Sequence, residues 1–298
     1  MTNASEATER WDARPGSRIR GYVAVVPLAV YAFGLAAWML LIAAIAPATF
    51  RRKSRSLLHL WGRGGLWFFG IRLEARGLEH LDAPGARIVL FNHQSLLDLF
   101  VLGALWPRDA VVIYKQEFHK VPIIGRLMKT LDFIAVDRSD RESAIRSMHA
   151  AGVRIRERGD VLLVAPEGTR SRADGLLPFK RGPFHLATET GLPLVPFIMQ
   201  GVRSLMPAGR LVARPGVLRV DVLAPISTKA WVDDELDAQM RQVREVFLEY
   251  VPGATGVKTR SAAARSQSSG QGVQRQRQDA QPRTSGADDR RPESTAAR

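Results

Sequence analysis

Residues 139–171 read SDRESAIRSMHAAGVRIRERGDVLLVAPEGTRS, and two periodicities meet in them. In the first half, Ser139 and Glu142 have the spacing of a capping box. Ile145, Met148, Gly152 and Val153 then mark one helical face, and Gly159 stands where a C-cap belongs. A short apolar run follows at 161–165, of strand length and bounded by Pro166 and Gly168. A helix feeding directly into such a strand is the repeating unit of an α/β fold.

The same alternation extends both ways. Apolar runs at 87–91, 111–114, 133–136 and 193–199 read as strands, 217–223 alternates in the strand manner, and helical segments separate several of them. A last helix is expected over 233–250, with Leu236, Met240, Val243 and Phe247 on one face and acids in its first turn. The expected fold is α/β, with a mixed, largely parallel sheet flanked by helices over 71–252, preceded by an N-terminal membrane-embedded helical segment.

Outside that domain the composition changes. Residues 1–20 are polar and read as a flexible arm broken at Pro15-Gly16, and 253–298 read as a disordered basic tail of Ser, Gln, Gly, Ala and Arg. From 21 to 50 no charged residue occurs. About 20 apolar residues span a bilayer core as a helix, so this run is long enough to be a retained anchor; the rival is a buried core helix. Arg51, Arg52, Lys53 and Arg55 follow and argue for a cytoplasmic end, while Arg10, Arg14, Arg18 and Arg20, with Glu6, Glu9 and Asp12 among them, weaken the contrast. Trp61, Trp67, Phe68 and Phe69 with Arg63 and Arg72 suit a second helix at the membrane–water boundary, or an amphipathic core helix. The anchor as a whole is expected over 21–70, as a helical pair.

The 298 residues carry 46% hydrophobic side chains, a formal charge of +14 and no cysteine. Wholesale disorder, disulfides, thiolate zinc sites and a cysteine nucleophile are thereby excluded, and an anionic partner class is called for. No basic platform interleaved with aromatics is present, so nucleic acid is not the expected partner.

Four blocks carry chemistry. His93 closes the apolar run before an expected helix at 95–106, and Asp98 lies within it. Positions five apart on one regular helix do not face each other, but a histidine just ahead of the helix lets the chain fold back. Asp98 then accepts from Nδ1–H and leaves Nε2 free as a general base; the rival is a histidine capping a helix or satisfied in the core. In the second block, Pro166 and Gly168 end a strand and present Glu167, Thr169 and Arg170 at its carboxyl end, where ligands gather in α/β sheets. Arg170 offers a planar fork suited to phosphate; the rival is a surface salt bridge on an ordinary turn. The third block is Lys115-Gln116-Glu117, then Pro122, Gly125 and Val136-Asp137-Arg138, in which Lys115 and Arg138 place cations at strand ends. Arg138 has an equal structural reading, pairing with Asp137, Asp140 or Glu142. The fourth, Phe179-Lys180-Arg181-Gly182 and then Leu192-Pro193-Leu194-Val195-Pro196-Phe197, suits a loop–helix–strand unit lining a site.

In this order the blocks resemble the glycerolipid acyltransferases with a His-x-x-x-x-Asp motif, the family typified by 1-acyl-sn-glycerol-3-phosphate acyltransferase. The resemblance covers about residues 75–225 and the apolar start. It implies that His93 is the general base and Asp98 orients it. It also implies that Glu167, Gly168, Thr169 and Arg170 form the acceptor site, with Arg170 and Lys115 on a glycerol phosphate; Arg138 stays a further candidate from its place at a strand end alone. The implied reaction moves a fatty acyl group from an acyl carrier protein or coenzyme A thioester to the hydroxyl of lysophosphatidic acid, making phosphatidic acid. No cofactor or metal is implied, and the implied location is the inner membrane with the catalytic domain on its cytoplasmic face. Acylation of another lysolipid, such as a lyso-ornithine lipid, is the nearest alternative, and a non-catalytic membrane-binding protein is one of another class. The chain departs from the family at Ala165, usually aromatic, and at Asp132, usually glycine.

Overall fold

The computed structural model describes residues 15–137, 140–171, 175–207 and 209–251. The first fourteen residues of the expected arm, the tail at 253–298, Arg138 and Ser139 lie outside them.

Seven strands form one sheet: β1 (Ile71–Arg76), β2 (Arg87–Phe91), β3 (Ala110–Lys115), β4 (Ile134–Val136), β5 (Val161–Val164), β6 (Leu194–Gln200) and β7 (Gly216–Val222). Their spatial order is β1-β7-β6-β2-β5-β3-β4. All neighbours pair in parallel except β6 and β7, so the sheet is mixed and largely parallel as expected. β2 and β5 are buried at every position, as apolar strands covered on both faces must be. β7 instead alternates, with Leu218, Val220 and Val222 inward.

The expectation missed β1. Its sequence, IRLEAR, places a charge at every second position and has one β-branched residue, so neither apolar density nor propensity marks it. It lies at the sheet edge, where charged side chains are tolerated and guard the open backbone.

Alternate residues of the central strands feed two cores, because successive side chains point to opposite faces. Val89, Phe91, Leu163, Val195 and Phe197 face a core shared with α1 (Pro15–Ile45), α2 (Pro47–Phe68) and α4 (Leu97–Ala104). Ile88, Leu90, Leu162, Val164 and Ile198 face one shared with α6 (Arg141–Arg158), α7 (Gly182–Thr190) and α9 (Leu236–Tyr250). Short helices α3 (Leu78–Leu81), α5 (Ile124–Thr130) and α8 (Val202–Leu205) complete the described set.

Two readings near helix starts change. α1 begins at Pro15, not after residue 20: proline is tolerated in a helix's first turn, where its missing N–H has no intrahelical partner to lose. α6 is capped by Asp140, whose carboxylate accepts from Glu142 N at 3.0 Å; Ser139, the expected cap, lies outside the described residues. The aspartate at 132 stands at φ +58°, the left-handed region glycine favours. Its carboxylate takes Arg154 at 2.7 Å and Arg158 at 3.0 Å, two partners a glycine could not hold.

The helical pair is present, joined through Ala46, and both helices pack on the first core. Residues 25–45 of α1 form the one helix among the described residues long and apolar enough to cross a membrane, at mean hydropathy 2.3. Leu28, Leu35 and Met39 of α1 are nevertheless buried in the first core, while Val26, Val30, Phe33, Trp38 and Leu41 stay exposed. α2 is docked more firmly. A Cβ on Gly62 would fall 2.0 Å from Ala104 N, and one on Gly65 would fall 2.1 Å from the Phe100 ring. Glycines three apart thus let α2 approach the helix that carries Asp98, while Leu60, Arg63 and Trp67 remain outside.

Candidate active site

β2 ends at Phe91 in the middle of the sheet, between β6 and β5. The next residue, Asn92, is fully buried and acts as a substitute peptide: its Nδ2 donates to Met199 O at 2.9 Å and its Oδ1 accepts from Met199 N at 2.8 Å. That double bond to β6 fixes where the chain leaves the sheet. His93 follows, partly exposed, its ring edge-on to Phe91 with centroids 6.0 Å apart.

From His93 the chain turns back before α4 begins at Leu97. The turn closes around one atom. Asp98 Oδ2 accepts from Gln94 N at 2.6 Å and Ser95 N at 2.9 Å, and it lies 2.8 Å from His93 Nδ1. An oxygen already accepting two N–H groups faces the ring as an acceptor, so the imidazole proton sits on Nδ1 and Nε2 presents its lone pair. Ser95 Oγ in turn accepts from Leu97 N at 3.1 Å, at the helix start. Asp98 is fully buried, and its Oδ1 has no hydrogen-bond partner among the described residues. The fold-back geometry expected for His93 and Asp98 is therefore the one adopted.

The second half of the site comes from the loop after β5. Glu167 is buried; its Oε1 accepts from His93 N at 2.9 Å and its Oε2 from Leu177 N at 2.8 Å. Ser171 N donates to His93 O at 2.9 Å, so the main chain of His93 is gripped on both sides by one loop. Lys180 N donates to Pro166 O at 2.7 Å and closes the loop's base. Gly168 sits at φ +70°, the left-handed region that favours glycine, and a Cβ there would press to 3.3 Å on Lys180 Cγ. Burial pushes the Glu167 carboxyl above its ordinary range. The His93 and Leu177 N–H groups and the His93 charge pull it back, and the Asp98 charge adds to the rise.

The remaining candidates fall into two groups. Thr169 and Arg170 lie exposed on the same loop, next to Ser171, and Arg170 makes no ion pair among the described residues. Lys115 ends β3, two strands from β2 and parallel to it, so it stands at the same carboxyl end of the sheet. Its Nζ pairs with Glu117 at 2.7 Å, and both are about half exposed. The Lys115 charge, through that bond, holds the Glu117 carboxyl below its usual range. Arg138 lies outside the described residues.

Asn92, Ser171 and Leu177 were not singled out from the sequence. Asn92 could have been: a polar residue that ends a fully apolar run in mid-sheet must be paired when buried. Ser171 and Leu177 act through main-chain N–H groups, which leave no trace in residue type.

The Acyltransferase family profile matches residues 72–200. The chain is 34% identical over 220 residues to a 1-acyl-sn-glycerol-3-phosphate acyltransferase of Limnanthes douglasii, covering 73% of this chain and 78% of that one. It is 30% identical over 235 residues to the alpha form from Homo sapiens, covering 74% and 81%. The crystal structure of a 1-acyl-sn-glycerophosphate acyltransferase from Thermotoga maritima superposes with a TM-score of 0.67 at 23% identity, over 80% of this chain and 99% of that one. That last likeness is one of fold.

Proposed function

The chain belongs to the acyltransferase family of these relatives, and from that premise we propose that it acylates the free hydroxyl of 1-acyl-glycerol-3-phosphate, making phosphatidic acid. The observation that carries this reading is the His93–Asp98 pair at 2.8 Å, with the ring held by its Nδ1 and its main chain clamped to the loop of Arg170.

In the proposed reaction the acceptor hydroxyl hydrogen-bonds to His93 Nε2. As its oxygen bonds to the thioester carbonyl carbon, the proton passes to Nε2 and Asp98 meets the charge on the ring through Nδ1–H. The C–S bond breaks, and the proton on Nε2 leaves with the thiolate as a thiol. The acceptor phosphate is assigned to Arg170, with Lys115 as a second cation once it exchanges Glu117 for the ligand, and Arg138 as a third candidate. The donor is an acyl thioester of coenzyme A or acyl carrier protein; no metal and no resident cofactor enters the reaction. α1, with its exposed apolar side chains, is assigned to the membrane, the arginine-rich start of α2 to the cytoplasmic face of the inner membrane, and the site to that side.

The test is acyl transfer by purified protein to a panel of lysolipids, with both donor classes. Because the chain has no cysteine, released thiol can be titrated without a background from the protein. Transfer to lysophosphatidic acid, lost in His93→Ala while membrane association persists, is the expected result. Substantial turnover by His93→Ala overturns the base assignment, and preference for another lysolipid overturns the acceptor.

A further inference from the structure

Glu167 lies in the loop assigned above to the acceptor, yet its carboxylate is turned away from any ligand. It is 1% exposed, and both oxygens are committed to main-chain N–H groups, of His93 and of Leu177. A phosphorylated acceptor is an anion, which a buried carboxylate repels. The two bonds are mechanical in effect. Glu167 stands on the outgoing limb of the loop and Leu177 on its returning limb, so one bond closes the loop on itself. The other joins it to the end of β2. Ser171 N adds a third tie, to His93 O, and Arg170 is the residue next to Ser171. Consecutive Cα atoms are about 3.8 Å apart, so whatever fixes Ser171 to His93 also fixes the root of the Arg170 side chain relative to the base.

We propose that Glu167 is a positioning residue, whose carboxylate locks the Arg170 loop to the main chain of His93 and so sets the distance between the phosphate-holding guanidinium and the base. The proposal deepens the reading above and rests on its assignment of His93 and Arg170. It replaces the expectation that Glu167 itself belongs to the acceptor-binding surface. Base and phosphate anchor then behave as one body, and the acceptor hydroxyl is delivered to Nε2 by the length of its own glycerol backbone. Displacement of such a pair by about 1 Å costs on the order of 100-fold in rate.

The test compares Glu167→Gln with Arg170→Ala in the full-length, membrane-reconstituted protein. In Glu167→Gln one carbonyl oxygen remains, and the amide NH2 faces a main-chain N–H, donor against donor. The expected result is a fall in kcat of about 100-fold with the KM for the lysolipid acceptor within about threefold of wild type. Arg170→Ala should instead raise the acceptor KM by tenfold or more. Hydrogen–deuterium exchange should show the amides around His93 and Leu177 exposed by Glu167→Gln and left protected by Arg170→Ala. Glu167→Asp, one methylene shorter, reaches one N–H of the two and should fall between wild type and Glu167→Gln in both exchange and kcat. A raised acceptor KM with unchanged exchange, in either Glu167 variant, overturns the proposal. If the wild-type protein transfers no acyl group to any lysolipid, the functional reading fails, while the exchange measurement still decides whether Glu167 holds the loop to His93.

Discussion

Replacing Asp98 by asparagine removes a charge and very little else, because of how the carboxylate is used. Oδ2 accepts from His93 Nδ1, Gln94 N and Ser95 N, while Oδ1 has no partner among the described residues. An asparagine can place its carbonyl oxygen where Oδ2 stands and turn its NH2 toward the unpaired side. All three contacts survive, at about 1–3 kcal/mol for burying an unsatisfied NH2. Only the negative charge opposite the imidazolium that forms during proton transfer is lost. A charge-assisted hydrogen bond contributes about 1.5–3 kcal/mol, and 1.36 kcal/mol is tenfold in rate, so kcat should fall about 10- to 150-fold. Asp98→Ala behaves differently. It orphans two buried main-chain N–H groups at about 1–3 kcal/mol each and frees the ring, so it should lose both stability, by about 2–6 kcal/mol, and nearly all turnover. Thiol release under saturating donor and acceptor gives kcat, and a thermal melt in the same detergent gives stability. If Asp98→Asn keeps more than a third of wild-type kcat, or Asp98→Ala melts with wild type, the account of this carboxylate is wrong.

Two further expectations concern the scaffold and pH. Gly62→Val should lower both the melting temperature and kcat, because its Cβ would meet main-chain atoms of Gly103 and Ala104 at 2.0–2.4 Å and force α2 from the helix bearing Asp98; overpacking of this kind costs about 1–3 kcal/mol, and an unchanged melt would refute the tight contact. Burial holds the Glu167 carboxyl above its ordinary value of 4.5. A raised folded pKa means a stability contribution that is full below the unfolded value and lost as pH rises through the folded one. Above that folded value the buried Glu167 carboxylate therefore costs stability. Relative to Glu167→Gln, the wild-type melting temperature should climb as pH falls from neutral through the folded-state value of this carboxyl; parallel melts of the two proteins check the sign.

Much of the architecture was legible because it is written in short windows. Periodicity over three or four residues marked α6 and α9, and apolar density marked β2, β3, β5 and β6 to within a residue or two at each end. His93 and Asp98 are five residues apart, so their contact too is settled by a local turn. Where local signals compete, the sequence was ambiguous: Ser139 and Asp140 both suit a helix cap, and Pro15 can break a helix or begin one.

The sequence by itself determined the class of fold, the apolar start, and the order of chemistry-bearing turns along the chain. Only the tertiary structure decided what those turns hold. Glu167 and His93 are 74 residues apart and Asn92 and Met199 are 107 apart, and their bonds exist because the sheet order sets β2 between β5 and β6. It also decided what the second helix of the expected anchor packs on, since α2 buries its glycine face on α4. The physical reason is the same in each case. A residue's conformational preference acts on its near neighbours, whereas the partner of a buried N–H, a carboxylate or a bare glycine face is whichever surface the packed sheet brings within reach.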